Sequence, residues 1–229
     1  MFGALYTSQD VVSSAFAAAL LATFSTAVLC FLGLSWTSEK WRIPLAMVGV
    51  AALASALHYA GAAALWMGGA GSSGGIRLSA WLTVQPLQVA AVYFYVRALG
   101  PASVGIFWRM SAAALLMVFS RYLGDAGFFN PTLGALLSIA FWLYILGEMY
   151  FGGMTEVIRR ESRAVRLGYF WIRLILTIGW AIYPILHFVD VVIGTGQAAG
   201  VVALYTLSDF INLITPSLIV LAVAGQERY

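Results

Sequence analysis

Asp209 stands near the middle of LYTLSDFINLITPSLIVL, residues 204–221, an apolar run long enough to be most of a membrane span. A carboxylate inside lipid is costly, so such a group marks a proton relay, an ion path or the counter-charge to a buried cation. Some other group must neutralise it. Two amides and a proline add a second kind of chemistry. Gln85 precedes Pro86, and Pro216, lacking an N–H, cannot donate to the carbonyl of Asn212. These groups offer hydrogen bonds either to the polar end of a ligand or to one another across kinked helices. The metal-binding residue types are sparse. His58 and His187 lie in different apolar runs, so the chain cannot assemble a several-histidine iron site, and no metal or enzymatic chemistry is expected. Cys30 is the single cysteine, which excludes a disulfide framework.

The elements that position these groups follow from composition. Of 229 residues, 62% are hydrophobic and 9% charged, and the mean hydropathy is +0.92. These values exclude a soluble domain and predict a polytopic membrane protein. The expectation is a single seven-helix transmembrane domain over 1–229, all-α because an open strand leaves its backbone unsatisfied in lipid. The spans are predicted at about 11–34, 43–67, 77–99, 105–124, 131–153, 168–191 and 199–224. The connectors carry turn chemistry, as in GGAGSSGG and GDAGFFNP, or charge, as in TEVIRRESRAVR. Met1 to Asp10 lacks the basic region of a cleavable signal.

Of the twelve Lys and Arg, only Arg77 and Arg121 fall on the side of the even-numbered connectors. The positive-inside rule then puts the N-terminus outside and the C-terminus in the cytoplasm. The net charge of +3 is explained by this topology, and no nucleic-acid partner is expected. Arg159, Arg160, Arg163 and Arg166 read as a topology and anionic-lipid signal. Glu148 is placed near a span end where snorkelling is easy, and Asp125 and Asp190 read as solvated or capping groups. The expected site is the inner (plasma) membrane, multi-pass.

Six motifs occur in order: LHYAGA around His58, R-x-x-x-W-L-x-x-x-P from Arg77 through Trp81 to Pro86, LMVFSRYLGDAG, FWLYILGE, GWAIYP at Gly179 to Pro184, and YTLSDFIN at Tyr205 to Asn212. On these the chain resembles the type-1 microbial rhodopsins, the proteorhodopsin and xanthorhodopsin branch in particular, along almost its entire length. The resemblance implies a retinal cage. Trp81 and Trp180 would sandwich the polyene, Tyr183 and Pro184 would lie beside the ring, and Tyr205, Asp209 and Tyr59 would lie near the Schiff-base end. Gln88 matches a position that tunes colour in the branch. The bland alternative for the aromatics is ordinary helix packing.

The departures from the family decide the expected activity. Leu213 stands where the family has the lysine that bonds retinal, and the sole lysine, Lys40, is in a connector. Ala80 replaces the counterion Asp, Val84 the usual Thr, and Ala91 the proton donor. Acceptor, donor and titratable Schiff base are all missing, so no proton pump and no covalent cofactor are expected. Losing one cation with one anion leaves Arg77 and Asp209 as a balanced buried charge pair, whereas one loss alone would strand a charge in low dielectric. His58 loses its family partner at Ala80, and reads as a structural residue donating to a helix carbonyl or lying at a protomer contact.

Two functions remain. The first is non-covalent binding of retinal or a related apocarotenoid for storage, delivery or sensing. The second is a structural or regulatory subunit with an empty pocket. Small residues in SSAFAAALLA favour close helix approach, consistent with the family's oligomers. The expected partners are the bilayer, a homo-oligomer (pentamer or trimer), or a functional rhodopsin in a hetero-oligomer.

Overall fold

The computed structural model describes residues 11–69, 74–193 and 199–227, without the side chains of 74–76 and 190–193. Met1 to Asp10, the middle of GGAGSSGG, the side chain of Asp190 and Arg228 lie outside that set. Seven long helices and one short one make up the described chain. They are α1 (Val11–Trp36), α2 (Glu39–Met67), α3 (Gly74–Arg97), α4 (Val104–Asp125), α5 (Pro131–Phe151), α6 (Met154–Arg159), α7 (Arg163–Ile193) and α8 (Ala199–Gln226).

Six of the long helices are apolar enough to cross a membrane; α3 is the exception. Its hydropathy is lowered by Gln85 and Gln88, which are both buried in the bundle and not turned to lipid. The charged stretch 155–166, read as a connector, is instead mostly helical, because α6 uses 154–159 and α7 begins at Arg163, about a turn ahead of its predicted start. Lysine and arginine are good helix formers, so charge alone does not make a loop.

The helices close into a ring: each long helix packs on the next, and α8 returns to both α1 and α2. Small residues allow the tightest crossing. A Cβ on Gly134 would lie 2.7 Å from the Ser120 carbonyl oxygen and 3.0 Å from the Gly124 Cα, so α4 and α5 meet backbone to backbone. The turn between them is built from its own sequence: Gly127 adopts φ 80°, and the Asn130 side chain caps α5 by accepting from the Thr132 N–H at 2.8 Å with Pro131 as the first helical residue.

Prolines at 86, 184 and 216 interrupt α3, α7 and α8 from within. Each removes one backbone hydrogen bond, leaving a carbonyl that another group has to satisfy. At the end of the bundle that carries Lys40 the interior is solid: Trp41 is fully buried with its ring 5.0 Å from Tyr95, and the Tyr95 hydroxyl donates to the Val165 carbonyl at 2.8 Å. Arg173 lies between the Tyr150 and Tyr169 rings, 4.5 and 4.9 Å from their centroids.

Candidate functional site

The half of the bundle containing Asp209 is hollow. The larger cavity, about 680 Å³ including its open mouth, is bounded by α3, α4, α5, α7 and α8. Trp81, Trp180, Tyr183, Pro184 and Tyr205 line it on one side, and Met117, Ser138, Ile139 and Trp142 on the other. Arg77, Arg121 and Asp125 form its polar rim, the last two bridged at 2.9 Å. A smaller, polar cavity adjoins it, lined by Ser55, His58, Tyr59, Ala80, Gln88, Asp209 and Leu213 among others. Trp81, Gln85 and Tyr183 line both.

Asp209 organises the polar cavity through neutral donors. The Tyr59 hydroxyl donates to one carboxylate oxygen at 2.8 Å. The Tyr183 hydroxyl at 2.7 Å and the Trp81 indole N–H at 3.2 Å donate to the other. Because Tyr183 has a single hydroxyl proton and gives it to Asp209, it accepts from the Asn212 amide nitrogen at 3.0 Å. This fixes the Asn212 side chain with its oxygen turned to Gly179, in the space a Cβ there would need. The carbonyl of Asn212, left without a helix donor by Pro216, accepts from the Gln88 amide at 2.8 Å. Gln85 and the Asn212 carbonyl, expected either to meet a ligand or to satisfy each other, thus do not pair: Gln88 takes the carbonyl, and the Gln85 side-chain oxygen has no partner.

Arg77 enters differently from its expected role. The ion pairs among the described residues do not include Arg77 with Asp209. Its guanidinium instead lies 3.8 Å from the centroid of the Tyr205 ring and 5.7 Å from that of Trp81, and Tyr205 in turn stacks on Tyr183 at 6.4 Å. Aromatic rings, Tyr205 and Trp81, therefore stand against the guanidinium where a direct bridge to Asp209 was expected. Leu213 is buried with Val84, Ala51 and Ala52 in an apolar cluster beside the polar cavity. His58 lines the same cavity, its ring 5.2 Å from that of Tyr59.

Seven helices closing on a tryptophan-lined cavity, with Asp209 on the last helix held by tyrosines, is an arrangement with known relatives. Residues 11–226 match the family described as bacteriorhodopsin-like protein. The chain belongs to that family. It is 29% identical over 223 residues to the blue-light absorbing proteorhodopsin of Gamma-proteobacterium Hot 75m4, covering 96% of this chain and 88% of the relative. It is 26% identical over 221 residues to the green-light absorbing proteorhodopsin of Gamma-proteobacterium EBAC31A08, covering 96% and 89%. Among solved structures, the blue light-absorbing proteorhodopsin from Med12 superposes with a TM-score of 0.80 at 26% identity, covering 95% of this chain and 100% of that one. Xanthorhodopsin, a light-driven ion pump with dual chromophore, superposes with a TM-score of 0.84 at 18% identity, covering 95% and 93%. The fold is that of a multi-pass rhodopsin.

Rhodopsins bind retinal, and the residues of this bacteriorhodopsin-like chain fit that group in part. The larger cavity has a mostly aromatic and apolar lining, which suits a polyene. At its polar end Leu213 offers no amine, and Lys40 pairs with Glu227 at 3.4 Å at the opposite, solid end. The far wall was not assigned to the cage from the sequence: Met117 and Trp142 stand inside the motifs LMVFSRYLGDAG and FWLYILGE without a role, and Ser138 and Ile139 stand outside any motif. The Trp142 indole N–H donates to the Leu176 carbonyl at 3.1 Å.

Proposed function

We propose that this rhodopsin holds retinal or a related apocarotenoid without a covalent bond, for storage, delivery or sensing, and has no Schiff base and no proton pumping of its own. The carrying observation is a tryptophan-lined cavity whose polar end has a carboxylate but no amine. Trp81 and Trp180 would hold the polyene, Pro184 and Tyr205 would close around it, and Tyr59, Tyr183, Gln88, Asp209 and Leu213 would face its polar end; Tyr183, expected beside the ring, donates to Asp209, and Tyr205, expected near the Schiff-base end, lines the larger cavity. When bound, retinal supplies a light-absorbing polyene. The chain supplies shape and hydrogen bonds.

The route that a pumped proton would take beyond Gln88 supports the absence of pumping. A small gap there is lined by Val48, Ala91, Val92, Ile172, Leu176, Pro216 and Val220, with Gln88 its only polar wall residue. Nothing in that lining exchanges a proton. The orientation that follows from the arginines makes this the cytoplasmic half, in a protein of the inner membrane that assembles as a homo-oligomer.

The test is purification with added all-trans-retinal. The expected result is retention of an unmodified chromophore that borohydride does not fix to the protein and that drives no pH change in the light. A borohydride-fixed pigment, or no retention at all, would overturn the reading. The second reading, a subunit with an empty pocket beside a functional rhodopsin, is favoured by the three internal donors that already satisfy Asp209. Co-purification with such a partner at fixed stoichiometry, with no chromophore retained, would select it.

A further inference from the structure

The hydrogen-bonding inventory of the polar cavity is lopsided. Three of its donors, the Tyr59 and Tyr183 hydroxyls and the Trp81 indole, are spent on Asp209. The enclosed side-chain atoms of its lining that have no partner are both carbonyl oxygens, those of Gln85 and Asn212. The oxygen of Asn212 is turned to Gly179. Gln85 remains: it is 5% exposed and lies where the polar and apolar cavities meet. An unpartnered carbonyl buried at such a junction costs free energy until a donor reaches it.

We propose that the site reads the head group of its ligand, and that it selects an O–H or N–H donor on an apolar chain over the aldehyde of retinal itself. The inference rests on the non-covalent pocket and names its ligand class. An aldehyde oxygen only accepts, and would add an acceptor beside Asp209 and the Gln85 carbonyl. A hydroxyl or an ammonium donates to Gln85, and an ammonium also meets the carboxylate of Asp209, which is in none of the ion pairs among the described residues. Gln85 is then the specificity-determining residue of the cage, at the point where the polyene's end passes from the apolar cavity into the polar one.

The experiment is a titration of the purified protein, read by quenching of its tryptophan fluorescence, with four probes of one carbon skeleton: retinol, retinylamine, retinal and retinyl methyl ether. Retinol and retinylamine are expected to bind about fivefold or more tighter than retinal and the ether, the factor that one hydrogen bond supplies. Gln85→Leu should bring retinol to the level of retinal while leaving the ether unchanged; if that variant does not fold, Gln85→Met replaces it. Retinylamine above retinol, with the excess lost in Asp209→Asn, assigns the head to the carboxylate as well; equality assigns it to Gln85 alone. Retinal binding as tightly as retinol, or a preference that survives both substitutions, overturns the proposal and leaves the pocket intact. Failure to bind any of the four removes the pocket reading and this inference with it.

Discussion

The two halves of the bundle differ in what fills them. Around Asp209 lie two cavities and a network of Tyr59, Trp81, Tyr183, Asn212 and Gln88; toward Lys40 the interior is closed by Trp41, Tyr95 and Tyr169. Gln88 and Pro216 mark the boundary, since both also line the small apolar cavity beyond. Gln88 is the one polar side chain in that cavity's lining. A pump needs exchangeable groups on both sides of its chromophore, whereas a binding site needs them at one end of its ligand. The difference between the halves is therefore the physical content of the proposed function, and it can be tested by altering each half.

The largest effect is expected from putting chemistry back into the hollow half. Leu213→Lys with Ala80→Asp returns an amine and a carboxylate together, and retinal should then form a borohydride-reducible pigment where the parent forms none. Leu213→Lys alone should give a lower folded yield, because it buries an unmatched cation at a cost of roughly several kcal/mol. Light should still move no protons through the double variant, as Ala91 leaves the other half without a donor. Proton movement would show that the closed half conducts after all, and the contrast drawn here would fail.

Next in size is Gly179→Ala. Its Cβ would occupy the space of the Asn212 amide oxygen, so Asn212 must leave Tyr183 or α7 must move away from α8. The cost is about 1–3 kcal/mol, measured as a fall in melting temperature in detergent. Asp209→Asn should cost about 2 kcal/mol, since an amide in place of the carboxylate cannot accept from Tyr59 and Tyr183 together without facing one hydroxyl with its own N–H. Equal melting of mutant and parent would mean that the network is not what holds this half.

How much of this was legible beforehand depended on whether a residue carries a chemical signature. The seven long helices and a carboxylate buried in the last of them were legible, because long apolar runs and a charge inside one have few explanations. Trp142 and its neighbours were not, because an apolar residue facing a cavity is written the same way as one facing lipid. Arg77 was read with the right charge and the wrong contact. Its sequence position said that it offsets Asp209, but only geometry put its guanidinium on the Tyr205 ring. The partner of the Asn212 carbonyl was half legible: Pro216 announced a missing donor, and the fold supplied Gln88 from another helix. Gln88→Leu should accordingly cost about 1–2 kcal/mol, an orphaned buried carbonyl.

The smallest effect belongs to the solid half. Lys40 and Glu227 meet at 3.4 Å with side chains 42% and 20% exposed, and the Ser162 hydroxyl donates to the other Glu227 oxygen at 2.8 Å. An exposed pair of this kind contributes about 0.5 kcal/mol or less, and Glu227 keeps Ser162 when the lysine goes. Lys40→Ala should therefore shift the melting temperature by far less than Gln88→Leu, although it removes the chain's sole lysine. The same variant should retain retinal as the parent does, since the ammonium is at the opposite end from the cage. A shift as large as that of Gln88→Leu would mean that charge, and not the packing of Trp41 and Tyr95, closes this end. Loss of retinal would mean that Lys40 reaches a chromophore that the fold keeps away from it.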